Sequence, residues 1–339
     1  MTLLFTDGFD HYGSSDITKK WTASASCSIS TTGGRRSSGA FSVGLFGGAQ
    51  KSLPATYTTL VMGAALKFTT NSGYPLMQFI EGGTIHLSLC FESGTQKLQL
   101  RRGQYNGTII ATGSVVLSSS TWYYVEFKAT INDTTGSTEV RINGVADSSL
   151  TLTNTDTRNG GSGYIDTVGL GQYYSGLGNG ATFDDLYVCS TAGATNNNFL
   201  GDCRVDTILP TGDGNYTQFT PSTGTAHWSL VDENPPNTTD YVSSATSGNR
   251  DSYTFPDLSG LSSQTVYGIQ INAAALKSDA GARSLGTMSR LSGTDKDGSG
   301  AALPTSIAYI SEIQETDPAS AAWTESNINA AEFGVKVTA

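Results

Sequence analysis

The sequence is poor in charged residues and in helix-forming residues. Only 14% of its 339 residues are Asp, Glu, Lys or Arg, whereas glycine alone occurs 40 times. Serine and threonine recur in almost every segment, and this composition favours many short strands joined by tight turns. The hydrophobic share of 37%, with 15 tyrosines and 13 phenylalanines, is enough for packed cores and excludes a disordered chain. At this length we expect two domains.

Clustered basic residues, long apolar runs and an export signal are also missing. The formal charge of −10 would repel a polyanion, so we expect no nucleic-acid partner. No apolar run approaches the roughly 20 residues that cross a bilayer. The N-terminus "MTLLFTDGFDHYG" has neither a basic region nor a long apolar one. We therefore expect a soluble protein that is not inserted in a membrane and carries no signal peptide.

Metal and cofactor sites have little support in the sequence. It has four cysteines, namely Cys27, Cys90, Cys189 and Cys203. They form no CxxC pair, and no histidine stands at metal-ligand spacing from them. We interpret them as free thiols, and a disulfide between Cys189 and Cys203 stays open. The segment "GTDKDGSG" (293–300) resembles the first half of an EF-hand loop but lacks the later ligands, so we interpret it as a solvated turn. No metal or cofactor is predicted.

The segment "WYYVEFKATINDTTGSTEVRINGV" predicts a β-hairpin. Alternate residues over 123–131 are apolar, a polar loop over 132–138 turns the chain, and Asn143-Gly144 marks a further tight turn. The segment 58–70, "TTLVMGAALKFTT", is typical of a strand buried on both faces. Because residues 1–189 show no helical period, we predict an all-β, antiparallel two-sheet sandwich for this part.

A second β-rich domain is predicted after a connector. Residues 190–205 are small and polar without strand periodicity, which indicates a linker. Within 206–339, "TVYGIQINAAAL" and "EFGVKVT" alternate as strands. Thr324 can cap a short helix over Glu325 to Ala330. This domain should therefore contain one short helix.

Several motifs carry a resemblance to known proteins. The opening "DGFDHY", the central hairpin and the closing "FDDLYV" make residues 1–189 resemble a concanavalin A-like, laminin-G-like jelly roll. The second half, from "NNNFLGDCRVDTILPTGDG" through "ALKSDAGARSL" to "AWTESNINAAEFGVKV", is similar to a module attached to such jelly rolls in virion proteins of tailed bacteriophages. These are most often tail-associated proteins.

The resemblance implies a non-enzymatic structural protein of a phage virion, of the tail-fibre or tail-tip type. Such a protein is made in the bacterial cytoplasm and works on the particle, where it contacts other virion proteins and attaches to a host surface glycan. We expect a homotrimer, because phage appendages are commonly symmetric oligomers. A capsid decoration or head-fibre protein is one alternative. A glycan-degrading depolymerase is another, although the Glu-x-Asp-x-Glu triplet of the glucanase relatives is absent from this sequence.

Three residues form the candidate carbohydrate site. Tyr173, Tyr174 and Asn179 lie in the glycine-rich loop "GQYYSGLGNG" before the closing strand. Aromatic faces stack on sugars and amide groups bond to hydroxyl groups, so this loop is where we expect glycan contact.

Four other residues are interpreted as structural. Asp184 and Asp185 are adjacent on a predicted strand, and neighbours on a strand point to opposite faces, so they should not act as a catalytic pair. We expect them to tie the closing strand to a neighbouring turn. Trp122 and Trp323 are expected to be core or subunit-contact residues.

Overall fold

A computed structural model describes residues 2–70, 73–171 and 180–339, apart from the side chains of residues 45 and 46. The chain divides into two compact units, Met1–Asp206 and Thr207–Ala339, called the first and second unit below. Both units are built from antiparallel strands, and the all-β prediction is confirmed. No helix in the described part of the chain is long and apolar enough to cross a membrane.

In its described residues the first unit has fourteen strands and one short α-helix. They are β1 (Leu3–Asp7), α1 (Ile17–Lys20), β2 (Ala23–Ser30), β3 (Ala40–Tyr57), β4 (Thr59–Phe68), β5 (Pro75–Glu81), β6 (Thr84–Phe91), β7 (Lys97–Arg102), β8 (Thr108–Val116), β9 (Tyr123–Thr130), β10 (Gly136–Ile142), β11 (Val145–Ala146), β12 (Leu152–Thr155), β13 (Ile165–Gly171) and β14 (Ala181–Ser190). Helix α1 was not predicted, because a single turn is too short to show a helical period.

The strands of the first unit form one curled sheet with two facing layers. The strand order is β11-β10-β9-β4-β14-β3-β13-β5-β6-β7-β8. Phe79 on β5 nevertheless lies 4.7 Å, centroid to centroid, from Phe127 on β9, and Phe68 on β4 lies 4.3 Å from Phe91 on β6. Strands so far apart in the order can touch only if the sheet folds over on itself. The result is a β-sandwich whose core is filled by these buried rings.

The predicted hairpin over 123–142 is confirmed. β9 pairs with β10 in continuous register from Ile142 opposite Val125 to Ser137 opposite Thr130. Asn143 and Gly144 have φ values of 51° and 81°, as a two-residue turn between antiparallel strands requires. β4, the predicted strand over 58–70, is buried along most of both faces.

Residues 190–205, predicted as a linker, instead belong to the first unit. The amide of Gly201 donates to Glu126 Oε1 at 2.9 Å, and the amide of Val205 donates to Asp185 Oδ1 at 2.8 Å. Both acceptor residues are fully buried. The segment packs on the sandwich because its backbone donors satisfy these carboxylates, which its small polar composition does not reveal.

The second unit contains ten strands and one helix. They are β15 (Gly212–Thr217), β16 (Thr220–Pro221), β17 (Val242–Ser243), β18 (Arg250–Thr254), β19 (Ile269–Ala275), β20 (Ser284–Leu291), β21 (Thr294–Asp297), β22 (Ala301–Ala302), β23 (Ala308–Gln314), α2 (Glu325–Ala330) and β24 (Glu332–Val337). The predicted helix is confirmed, and the Thr324 hydroxyl accepts from the amide of Asn327 at 3.2 Å as its N-cap.

The core of the second unit lies beside the sheet β15-β18-β24-β20-β21 and the two-stranded sheet of β19 and β23. One cluster joins Trp323, Ile271, Ile328 and Phe333. A separate cluster joins Phe219, Leu285 and Val337, and Val337 lies at the other end of β24. Each unit therefore has a core of its own.

Candidate functional site

Strand β13, with the sequence "IDTVGLG", has one face toward the core and one away from it. Val168 and Leu170 are buried, and Val168 lies opposite Phe79, one of the rings that fill the sandwich. Because side chains alternate along a strand, Thr167 and Gly169 face the other way. The second face of this layer therefore points away from the aromatic core.

Polar residues form a largely buried row on this second face. Gly169 lies opposite Gln50 on β3 and opposite Gln78 on β5. Gln78 is in turn opposite Ser88, and Ser88 is opposite Arg101. The amide of Gln78 donates to the Ser88 hydroxyl at 3.0 Å. Amide, hydroxyl and guanidinium groups thus stand on four of five neighbouring strands, and Gly169 on β13 lies between Gln50 and Gln78.

A cleft of about 470 Å³ opens at the Gln50 end of this row. Nine residues line it, namely Thr22, Gln50, Ser52, Leu53, Ile80, Gly82, Gly83, Asp166 and Thr167. Most offer hydroxyl, amide, carboxylate or backbone groups. This combination suits a ligand that both donates and accepts hydrogen bonds.

Gln50 is the most unusual residue of the cleft. Its exposure is only 8%, yet its side-chain Nε2 has no hydrogen-bond partner. The backbone of Gln50 is fixed on both sides, since it pairs with Ala23 on β2 and with Gly169 on β13. A buried donor without a partner costs about 1–3 kcal/mol. A ligand oxygen that reaches this nitrogen would remove that penalty.

Asp166 provides the complementary acceptor. Its Oδ1 accepts from the Thr167 hydroxyl at 2.8 Å, and its Oδ2 accepts from the amide of Gly82 at 3.0 Å. A carboxylate has about four acceptor positions, so capacity remains for a ligand. Gly82 and Gly83 form the β5–β6 turn with φ values of 52° and 89°, which favours glycine, and a Cβ at either would meet nothing within 4 Å. The turn therefore leaves the rim of the cleft open.

Asp184 and Asp185 lie outside the cleft, and both hydrogen-bond to the turn formed by residues 35–38. Asp184 Oδ2 accepts from the amide of Arg35 at 2.9 Å and from the Ser38 hydroxyl at 3.3 Å, while the Arg36 guanidinium donates to Asp185 Oδ1 at 2.7 Å. The expectation that the two side chains point to opposite faces does not hold. The register shifts after Asp184, and Asp185 has a left-handed φ of 53°, so both carboxylates reach the same turn.

Carboxylates crowd around this turn. Burial raises the pKa of Asp10 to about 7, the amide of Gly39 opposes the shift, and the charges of Asp184 and Asp185 add to it. Burial and the charge of Asp185 likewise raise the pKa of Asp184 to about 6. Ionisation of these groups works against folding. None of them lines the cleft, and their bonds are to the protein's own backbone and side chains.

Two buried histidines are engaged by carboxylates. His86 bonds through Nε2 to Glu81 at 2.8 Å, and its Nδ1 accepts from the amide of Asn159 at 3.1 Å. His227 bonds through Nδ1 to the buried Asp251 at 2.7 Å. Both nitrogens of His86 are used, which leaves no free base there.

The predicted carbohydrate loop cannot be placed. Tyr173, Tyr174 and Asn179 lie outside the residues that the structure describes. Their assignment stays a prediction from the sequence.

The two tryptophans interpreted as structural lie in different surroundings. Trp122 is half-buried, and Lys67 Nζ stands 4.7 Å from its ring centroid. Trp323 is 3% exposed and donates from Nε1 to the carbonyl oxygen of Gln314 at 2.9 Å.

We predicted a solvated turn over 293–300, and this prediction is wrong for part of the segment. Its residues 294–297 form strand β21, which pairs with β20. Asp295 pairs with Arg290 and Asp297 pairs with Arg250, each at 2.6 Å. Across the described ranges, no group of three or more His, Cys, Asp or Glu side chains is arranged to hold a metal ion. All four cysteines are free thiols in the structure.

Sequence reasoning missed Gln50 and Asp166. The available signal was the motif "TVGLG", where two glycines alternate with buried Val168 and Leu170 and so leave a face without side chains. That signal marks a close approach or an open surface on β13. It does not say which strands lie on either side.

No protein-family model and no curated protein matches the sequence. Among solved structures, Trypanosoma rangeli sialidase in complex with 2,3-difluorosialic acid matches with a TM-score of 0.35 and 14% identity, covering 48% of this chain and 27% of that one. Domain 4 of AbnA, a GH43 extracellular arabinanase from Geobacillus stearothermophilus, matches with a TM-score of 0.36 and 14% identity over 54% of this chain and 92% of that one.

The carbohydrate-binding module CBM66 from Bacillus subtilis matches with a TM-score of 0.32 and 8% identity, covering 44% of this chain and 86% of that one. This chain thus spans about a quarter of the sialidase, which is far longer than the matched region. The scores and identities are too low to transfer an activity or a ligand to this chain.

Proposed function

We propose that this chain is a non-enzymatic attachment protein whose first unit binds a glycan in the cleft between Gln50 and Asp166. The observation that carries the proposal is that Gln50, one of the residues lining the cleft, has a buried side-chain donor without a hydrogen-bond partner. The large majority of buried side-chain donors in proteins are paired. An unpaired donor next to an acceptor with spare capacity is what a hydroxyl-rich ligand requires.

The size and chemistry of the cleft fit a sugar. Its volume of about 470 Å³ lies within the range of roughly 300–1,000 Å³ that small-molecule sites occupy. Thr22, Ser52 and Thr167 add hydroxyl groups around Gln50 and Asp166. None of the nine lining residues is aromatic, so a single site should bind weakly. Many copies on one surface would convert weak sites into firm attachment.

The proposal of binding without hydrolysis rests on the carboxylates. Glycoside hydrolysis commonly needs two carboxyl groups about 5–9.5 Å apart across the bond. Asp166 is the one carboxylate among the lining residues. Glu81 lies next to the turn, but its oxygens accept from the amide of Ser162 at 2.7 Å and from that of Gly163 at 2.9 Å, and they bond to His86. Glu81 therefore holds a loop in place.

Replacing Gln50 or Asp166 by alanine should weaken glycan binding at least tenfold. The loss of one hydrogen bond from a buried or charged group corresponds to about 1.5–3 kcal/mol. The full chain is screened on a glycan array, and the affinity for its best ligand is measured for both variants. Gln104→Ala, at an exposed glutamine outside the cleft, is the matched control and should bind normally.

Stability separates a binding role of Gln50 from a structural one. Because its donor is unpaired, Gln50→Leu should leave the melting temperature without ligand unchanged or higher. Two results contradict the proposal: undiminished binding by both cleft variants, or loss of binding only in Tyr173→Ala and Tyr174→Ala. The second result would move the site to the loop before β14.

We further propose that the protein is carried on the particle of a tailed phage, as a tail-fibre or tail-tip subunit, in homotrimers. The support is the resemblance of "DGFDHY", "FDDLYV" and the C-terminal motifs to phage virion proteins. Immunogold labelling of purified particles tests it. Gold at the tail tip or fibres is expected, gold on the head indicates a decoration protein, and unlabelled particles contradict a virion role.

A further inference from the structure

We infer that the cleft selects neutral sugars and rejects sugars that carry a carboxylate. This inference rests on the proposed function and names the ligand class of the same site. Among the nine lining residues, Asp166 is the one charged side chain, and no lysine, arginine or histidine accompanies it. An anionic ligand would meet a like charge at short range without a compensating cation.

The nearest lysine on the same strand does not reach the cleft. Lys51 follows Gln50 on β3, but it lies opposite Val168, whose side chain points to the core side. Its Nζ donates to the carbonyl oxygen of Lys20 at 2.6 Å and lies 4.8 Å from the ring centroid of Phe5. These two contacts hold the positive charge of Lys51 outside the cleft lining.

The hydrogen-bonding groups of the cleft are best matched by hydroxyl groups of a ligand. The Gln50 amide nitrogen can only donate, so it needs a ligand oxygen that accepts. The ionised Asp166 can only accept, and its Oδ2 receives only the Gly82 amide among the described bonds. A sugar hydroxyl can do either. A carboxylate accepts but cannot donate, so it satisfies Gln50 and leaves Asp166 facing a negative group.

The test compares matched neutral and acidic monosaccharides on the full chain. Glucose, galactose and mannose are titrated by NMR against glucuronate, galacturonate and mannuronate, with methyl galacturonate as an uncharged control of the same size. For the sugar that binds, the neutral form should bind at least tenfold more tightly at low salt than the corresponding uronate. The methyl ester should regain most of the loss, and the preference should shrink as salt is added.

Two variants separate charge from shape. Asp166→Asn removes the negative charge and should bring the neutral-to-acidic affinity ratio to within about threefold of unity. Ser52→Lys adds a cation at an exposed position of the cleft lining and should raise the affinity for the uronate. Asp257→Asn, at an exposed aspartate of the second unit, should change neither ratio.

Each outcome decides the inference. If uronates bind as tightly as the neutral sugars, or if the ratio is the same in Asp166→Asn, the inference is overturned while glycan binding stands. If none of the monosaccharides, the methyl ester included, produces a shift at cleft residues, and the array is also blank, the proposed function fails and the inference fails with it.

Discussion

Asp7→Asn should lower the free energy of unfolding of the first unit by about 3–5 kcal/mol, because it leaves a buried lysine without its counter-charge. Lys20 Nζ lies 3.1 Å from Asp7 Oδ1, and the two side chains are 1% and 0% exposed. Asp7 also accepts from the Tyr12 hydroxyl at 2.7 Å, from Trp21 Nε1 at 2.9 Å and from the amide of Phe9 at 2.9 Å. An asparagine side chain has one oxygen and one NH2 group, so its NH2 group would face some of these donors and could not accept their hydrogen bonds.

Urea denaturation of the full chain, followed by hydrogen exchange of amides in residues 2–206, measures this loss. Asp133→Asn is the matched control, since its pair with Arg158 is half-exposed and should contribute less than about 1 kcal/mol. A loss below about 1 kcal/mol in Asp7→Asn would contradict a stabilising role of the buried Asp7–Lys20 ion pair in the first unit.

Trp323→Ala should lower the free energy of unfolding of the second unit by about 3–5 kcal/mol, as expected for removing a buried aromatic side chain. The indole ring packs with Phe333 at 5.7 Å between centroids and belongs to the cluster that contains Ile328 on α2. The substitution also leaves the carbonyl oxygen of Gln314 without the indole donor. A cavity then opens where α2 packs beside β24.

Hydrogen exchange of amides in 207–339 under increasing urea reports this effect. Trp323→Phe keeps a ring and should lose less than half as much. Trp122→Ala in the first unit should change stability by about 1 kcal/mol or less, because the ring is half-buried under Lys67. Equal losses in Trp323→Ala and Trp122→Ala would contradict the assignment of Trp323 to a core.

Local patterns of the sequence were reliable where neighbours in the chain are also neighbours in the fold. The hairpin over 123–142 shows period-two alternation, and the Asn143-Gly144 turn that follows it joins β10 to β11, so all of these signals lie in one continuous segment. The helix over 325–330 begins at a threonine cap that the sequence displays. Such signals need no knowledge of the rest of the molecule.

Features that depend on distant partners could not be predicted. Gln50 and Asp166 are 116 positions apart and meet because β13 inserts between β3 and β5 in the sheet. The left-handed conformation of Asp185 depends on a register shift against β4. The segment 190–205 looks like a linker until its backbone donors are matched to Glu126 and Asp185. In each case the strand order, which is not consecutive in sequence, decides the outcome.

The central claim is that the cleft beside β13 binds a glycan and leaves it intact. The most direct measurement is a crystal structure of the full chain with an oligosaccharide selected on the array. We predict an unbroken sugar chain in the cleft, with an oxygen accepting from Gln50 Nε2 and a hydroxyl donating to Asp166. Sugar bound at another surface, or a cleaved glycosidic bond in the cleft, would contradict this account.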